Sequence, residues 1–237
     1  MHPPEPRDLL SAWERGSGGA PVVRGLLLLG LAVPGAAPED LLHASIGHRD
    51  AWLLSLRECL FGSRLECLLP CPACREGIEL SFDIADVRAP HALPGQVRTL
   101  AGGQQLRAPT SADLLAIGHL SDATQAEQQL LARCHLNAGG GPEASAVAEW
   151  ASAAGEALGR LDEQAEVVLA LDCPACAHHA SQPFDILAHL WVELDHWARG
   201  MLRRVHAIAS RYGWSEADIL ALSTARRQAY LDLIGAG

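Results

Sequence analysis

Two segments of this chain repeat each other. Cys-Pro-Ala-Cys, seven further residues and then Phe-Asp-Ile occur once from Cys71 to Ile84 and again from Cys173 to Ile186. Seven identities at identical spacing mark an internal duplication, with 98 residues between the inner cysteines Cys74 and Cys173. Each copy predicts a β-hairpin. Residues 166–172, EVVLALD, are rich in strand formers, and residues 78–84, IELSFDI, alternate apolar and polar with the strand period of two. A Cys-Pro-x-Cys turn between two strands is the form of a metal knuckle, because the proline fixes φ where the chain bends both sulfurs towards one ion.

Two knuckles supply four thiolates. Cys71, Cys74, Cys173 and Cys176 are therefore the expected ligands of one Zn2+, held tetrahedrally with bonds of about 2.3 Å. Four sulfurs fill the shell and leave no position for water, so the ion is expected to be structural. A redox dithiol is the competing reading, but it needs the motif to open a helix in a βαβ unit, and the flanks here read as strands. An empty site is the other alternative. Two features fit the knuckle less well or sit beside it. Arg75 and Ala177 stand where knuckles often carry a glycine for its left-handed backbone. His178 and His179 adjoin the second knuckle and are expected on the surface. Cys59, Cys67 and Cys134 are expected to be small buried apolar groups.

Composition narrows the function. The chain has 237 residues, enough for one large domain or two small ones, and 49% apolar residues exclude a disordered chain. Net charge is −10, which disfavours nucleic acid as the main partner. All 18 basic residues are Arg, so neither a Schiff-base lysine nor a phosphate-loop lysine is available. The apolar run at 22–33 is interrupted by Arg24 and is shorter than the roughly 20 residues a membrane span needs. The opening MHPPEPRD lacks the pattern of a secretory signal. Together these predict a cytoplasmic protein without a membrane anchor, in a compartment where paired CxxC motifs favour metal over disulfides.

The remainder reads as mostly helical. Helices are expected at 7–16, 21–33 and from Pro38. Another is expected at 49–61, with Trp52, Leu53, Leu56, Leu60 and Phe61 on one side. Between the knuckles, residues 96–108 predict a hairpin turning at Gly102 and Gly103, and Thr110 or Ser111 caps the next helix. An amphipathic helix at 123–136 turns Leu130 and Leu131 inward, and an Ala-rich helix spans 143–161 after a glycine loop at 138–141. The longest helix runs over 184–212, with Gly213 at its end, a capping box from Ser215 to Asp218 and a last helix at 224–234 capped by Ser223. The fold class expected is α+β, mostly helical: a split zinc-ribbon-like pair of hairpins brackets an α/β insert and is followed by C-terminal helices. The corresponding regions are 1–64, 65–95 with 165–186, 96–164 and 187–237.

No motif for a serine nucleophile, a zinc protease or a phosphate loop is present. Asp195, His196 and His206 lie on or near the apolar face of the long helix, where single polar groups are usually structural, so the protein is expected not to be an enzyme. Trp191 and Trp197 suit the core and an interface equally. Trp214, Arg226, Arg227 and Tyr230 are candidates for a partner surface, because aromatic and Arg residues anchor interfaces, and the two arginines are expected to be exposed.

Five segments in order resemble a known family: GHRDAWLLSLRECLFG at 47–62, the first CPAC with FDI, LRAPTSADL at 106–114, the second CPAC, and RRVHAIASRYGWSEADIL at 203–220. They look like the baseplate hub assembly proteins of contractile phage tails and phage-tail-like contractile injection systems. The resemblance implies a non-enzymatic, chaperone-like accessory protein whose partners are baseplate or tail structural proteins. A zinc-ribbon regulator that binds nucleic acid is the next reading. It requires a basic face at the knuckles, where the sequence instead places Arg75 among Glu76, Glu79, Asp83, Asp172 and Asp185. A dithiol oxidoreductase is third.

Overall fold

Each CPAC turn closes a hairpin, and the two hairpins share one register. In the computed structural model, which describes residues 2–89, 97–100, 103–137 and 147–235, β1 (Arg64–Pro70) pairs antiparallel with β2 (Gly77–Asp83). β5 (Val167–Asp172) pairs in the same way with β6 (His179–Phe184). Leu65 faces Phe82 in the first hairpin, and the equivalent Val167 faces Phe184 in the second. The protein is mostly helical with small antiparallel hairpins, as the sequence predicts.

The N-terminal helices are α1 (Pro6–Gly16), α2 (Pro21–Ala32), α3 (Pro38–His43) and α4 (Ile46–Phe61). The first three begin with proline at the first helical position, where its missing N–H costs no hydrogen bond. α4 starts three residues before the expected Arg49, because Ser45 Oγ accepts the His48 N–H as its cap. The main core joins these helices to α9 (Ile186–Tyr212) through Leu28, Leu29, Leu53, Leu56, Leu190 and Leu194. Trp191 belongs to this core, and Trp197 packs against it. A second cluster packs α10 (Glu216–Leu220) and α11 (Thr224–Gly235) onto the distal half of α9 through Met201, Val205, Ile208 and Ile219.

Repeated Phe-Asp-Ile has a physical reason. Phe82 and Phe184 meet edge to face, with centroids 5.5 Å apart. Ile84 and Ile186 both enter the main core. Asp185 accepts the Ala188 N–H and caps α9, while Asp83 opens the single turn α5 (Ile84–Val87).

The intervening segment is stitched to the start of α4 at two points. It contains β3 (Val97–Thr99), β4 (Gln105–Arg107), α6 (Ser111–Ile117), α7 (Ala123–Cys134) and α8 (Val147–Leu161). The turn residue Gly102, the loop expected at 138–141 and the start of the helix expected at 143 lie outside the described residues. Thr110 caps α6, and the buried Asp113 receives Arg107 and Arg133. Within the segment, just before α6, Pro109 O accepts the Ile46 N–H. At the far end, Gly47 N–H donates to Asp162 Oδ2 at 2.7 Å. A Cβ on residue 47 would collide with that carboxylate, so glycine is required there. Gln164 then bridges Val87 O and Ala89 N–H, just beyond the first hairpin. These ties return the chain to the point where the second hairpin begins.

Helix α4 is buried on more sides than its expected stripe, and it carries buried charge. Arg57 forms two bonds to Glu193 of α9, at 3.0 and 2.7 Å, and donates to Gly62 O. Burial alone would raise the Glu193 carboxyl, but the His189 ring 3.5 Å away and the two hydrogen bonds from Arg57 outweigh it and hold the pKa at about 2. Because the folded pKa lies below the unfolded value, the stabilisation is complete above the unfolded value and fades as pH falls towards 2. Replacing Glu193 with Gln leaves Arg57 buried without its counter-ion, and the expected loss at neutral pH is about 3 kcal/mol. Chemical denaturation across pH checks this: the gap between parent and variant should shrink below the carboxylate range and close near pH 2.

Candidate metal centre

The two turns face each other in crossed order, as a two-fold relation between the copies requires. Cys71 Sγ lies 3.7 Å from Cys176 Sγ, and Cys74 Sγ lies 3.6 Å from Cys173 Sγ. All four sulfurs lie within 4.8 Å of one another. A regular tetrahedron with metal–sulfur bonds of about 2.3 Å has edges of about 3.8 Å. The four sulfurs thus meet the size requirement of a tetra-thiolate site and form a group compatible with a metal ion.

Local backbone explains how a four-residue turn presents two sulfurs. Arg75 N–H donates to Cys71 O and Cys71 N–H to Glu76 O, closing the turn. In the second copy Ala177 N–H donates to Cys173 O and Cys173 N–H to His178 O. The residue after each second cysteine is left-handed, with φ of 64° at Arg75 and 55° at Ala177. These are the positions where the sequence lacks the usual glycine. Its absence removed none of the knuckle geometry, and both side chains point outward into an exposed position that tolerates them.

The same turns aim backbone N–H groups at sulfur. Cys71 accepts from Cys74 and Ala73 N–H, Cys74 from Glu76 N–H and Cys176 from His178 N–H. Cys71 is drawn down to about 6, first by the Cys74 N–H. The His178 N–H also lowers Cys176, yet crowding against the neighbouring thiols pushes it up to about 12. Four adjacent thiols cannot all become anions unless a cation compensates them, which is what a metal ion would supply here.

Cys71 and Cys173 are buried with Leu171 and Ile78 between the hairpins, whereas Cys74 and Cys176 reach the surface. Neither CPAC opens a helix, the placement a thioredoxin-like dithiol needs. His178 and His179 are exposed as expected, and His179 pairs with Asp172 across the hairpin mouth. Cys134 is fully buried, and burial pushes its thiol up to about 11. Cys59 and Cys67 are only half-buried, and Cys67 Sγ lies 3.7 Å from His189 Nδ1, so these two are not simple core groups.

Other expected residues fall elsewhere. Asp195 accepts Trp13 Nε1–H and Arg199 Nε–H, while His196 and His206 are exposed. Trp214 and Tyr230 come together: with Tyr212 they form a half-exposed cluster at the junction of α9 and α11. Arg226 is exposed. Arg227 is not, which corrects the expectation for it. Arg227 is 3% exposed and donates to the carbonyls of Ile219, Leu220 and Leu222. It neutralises the carbonyl end of α10, a role suited to a cation. The capping spacing at Ser215 and Ser223 marks this turn in the sequence, but the expectation for the arginine rests on its residue type as an interface anchor.

Comparison of the chain with protein-family models, curated proteins and solved structures finds no match in any of the three.

Left-handed Ala177 costs about 1 kcal/mol, more than glycine loses through its freer unfolded chain. Ala177→Gly is therefore expected to raise stability by about 0.5 kcal/mol, read from the denaturation midpoint. A loss of stability would contradict the left-handed assignment.

Proposed function

We propose that this protein is a non-enzymatic accessory protein whose core is clamped by one structural Zn2+ and which works by holding a protein partner. The observation that carries the reading is the closed tetra-sulfur group joining two hairpins on opposite sides of a long intervening segment. A filled shell holds structure and leaves no position for substrate or water. Zinc is favoured among ions because four thiolates in a tetrahedron suit it, and structural sites of this composition most often hold it.

The order of segments resembling baseplate hub assembly proteins points to baseplate or tail structural proteins as partners and to work in the cytoplasm. The partner surface we assign is the aromatic cluster Tyr212, Trp214 and Tyr230 with Arg226 beside it in sequence. Half-exposed aromatic groups near an arginine are what interface anchors use. Nucleic acid is the less favoured partner, because the residues flanking the knuckles are mainly acidic. No helix among the described residues is long and apolar enough to cross a membrane.

Point substitutions test the surface better than truncation, since removing residues 213–237 would also strip Ile219 and Arg227 from α9. Co-purification with candidate baseplate subunits is expected to fall by about ten-fold or more for a Trp214→Ala, Arg226→Glu variant with unchanged circular dichroism. Unchanged capture would remove this surface, and salt-dependent retention on DNA would favour the regulator instead.

A further inference from the structure

Helix α2 is apolar around nearly its whole circumference, PVVRGLLLLGLA, yet the fold leaves one side of it partly open, where Leu26 and Leu31 touch the main core and are only half-buried. Gly25, Leu28, Leu29 and Ala32 are buried. Val23, Leu26, Leu27, Gly30 and Leu31 line a cavity of about 920 Å3, with α1 on one flank and α3 on the other. A helix apolar on all faces belongs in an interior. The groove is the part of that interior the described chain leaves open.

We propose that this groove docks an amphipathic helix of a partner protein whose polar face is basic. The floor is aliphatic, and no Phe, Tyr or Trp lines the cavity, which removes the aromatic surface that proline-rich segments require. The flanking helices bond their backbone groups within themselves, and the non-helical lining residues Pro3, Pro4 and Pro34 have no N–H to donate, so an added strand finds no edge to pair with. His2, Glu5, Asp8, Ser11, Arg15 and Glu39 are the polar lining residues, and all are exposed. Nothing polar at the floor would orient a small molecule, whereas a trough with a charged rim suits the two faces of a helix.

The rim sets the sign of the partner. Glu5, Asp8 and Glu39 stand against Arg15. Arg7 approaches Glu5 at 3.2 Å and Asp8 at 3.8 Å, and His43 approaches Glu39 at 2.9 Å, but these pairs are solvent-exposed and weakly held. The rim therefore keeps its acidic character, in a chain of net charge −10. Complementarity calls for Lys or Arg flanking the apolar stripe of the docked helix. This surface shares no residue with the Trp214–Tyr230 cluster, so it stands independently of the function proposed above.

Gly30 supplies a clean test, because a Cβ added there meets no atom within 4 Å. Gly30→Trp fills the groove from within, and Gly30→Ala is the control, since it adds one methyl group and favours the helix. The probe is a fluorescein-labelled helix-forming peptide of about 15 residues, with Leu at i, i+3, i+4 and i+7 and Lys elsewhere. Its twin carries Glu in place of Lys. Anisotropy on the full chain is expected to show saturable binding of the Lys peptide, about ten-fold or more weaker for the Glu twin. Gly30→Trp should weaken the Lys peptide by about ten-fold or more with unchanged circular dichroism, while Gly30→Ala retains binding. Equal binding by parent and Gly30→Trp, preference for the Glu twin or no binding at all would overturn the assignment. So would a dimer in light scattering that Gly30→Trp dissociates, since the occupant would then be a second copy.

Discussion

The approach of four sulfurs from two distant turns is the constraint on which the rest of this structure depends. Between Cys74 and Cys173 lie 98 residues, and in the chain-entropy account a cross-link over a loop of about 100 residues restricts the unfolded chain by about 4–5 kcal/mol. An ion held by all four thiolates would act as such a cross-link, with the coordination free energy added. The protein contacts around the site prepare for it. Ile46–Pro109 and Gly47–Asp162 hold the intervening segment to the start of α4, and Gln164 ties its end back to Val87 and Ala89 at its beginning. The sulfurs then complete a closure that hydrogen bonds have already set up.

Duplication at this site serves packing as well as ligation. The two Phe-Asp-Ile triplets bring one ring against the other, cap a helix start and place one isoleucine each in the shared core. They diverge only downstream. The first runs into a single turn ending at Val87, and the second into a helix of 27 residues. That long helix carries the consequences of the clamp outwards. Its first half seals the main core against α1, α2 and α4, and its second half supports α10, α11 and the aromatic cluster.

Most of what is local was legible in the sequence. Cys-Pro-Ala-Cys announces a turn, alternation announces strands, and Ser, Thr and Asp announce caps, because each acts within a few residues. What escaped was long-range or polar in the interior. Arg57 finds Glu193 and Trp13 finds Asp195 across most of the chain, and no periodicity encodes such pairs. Arg227 is a charged residue expected at the surface, but the turn before it supplies three carbonyls that draw it inside. Arg75 and Ala177 taught the reverse lesson. A missing glycine counted against the knuckle, and the backbone nevertheless adopts the left-handed form because closing the turn outweighs its cost.

Metal content of the untagged protein, measured by mass spectrometry beside a variant with Cys71→Ser and Cys173→Ser, tests the central claim most directly. The account predicts one zinc per chain in the parent, and its loss from the variant together with a large fall in thermal stability. A parent free of metal, with four titratable thiols and stability equal to that of the variant, would contradict it.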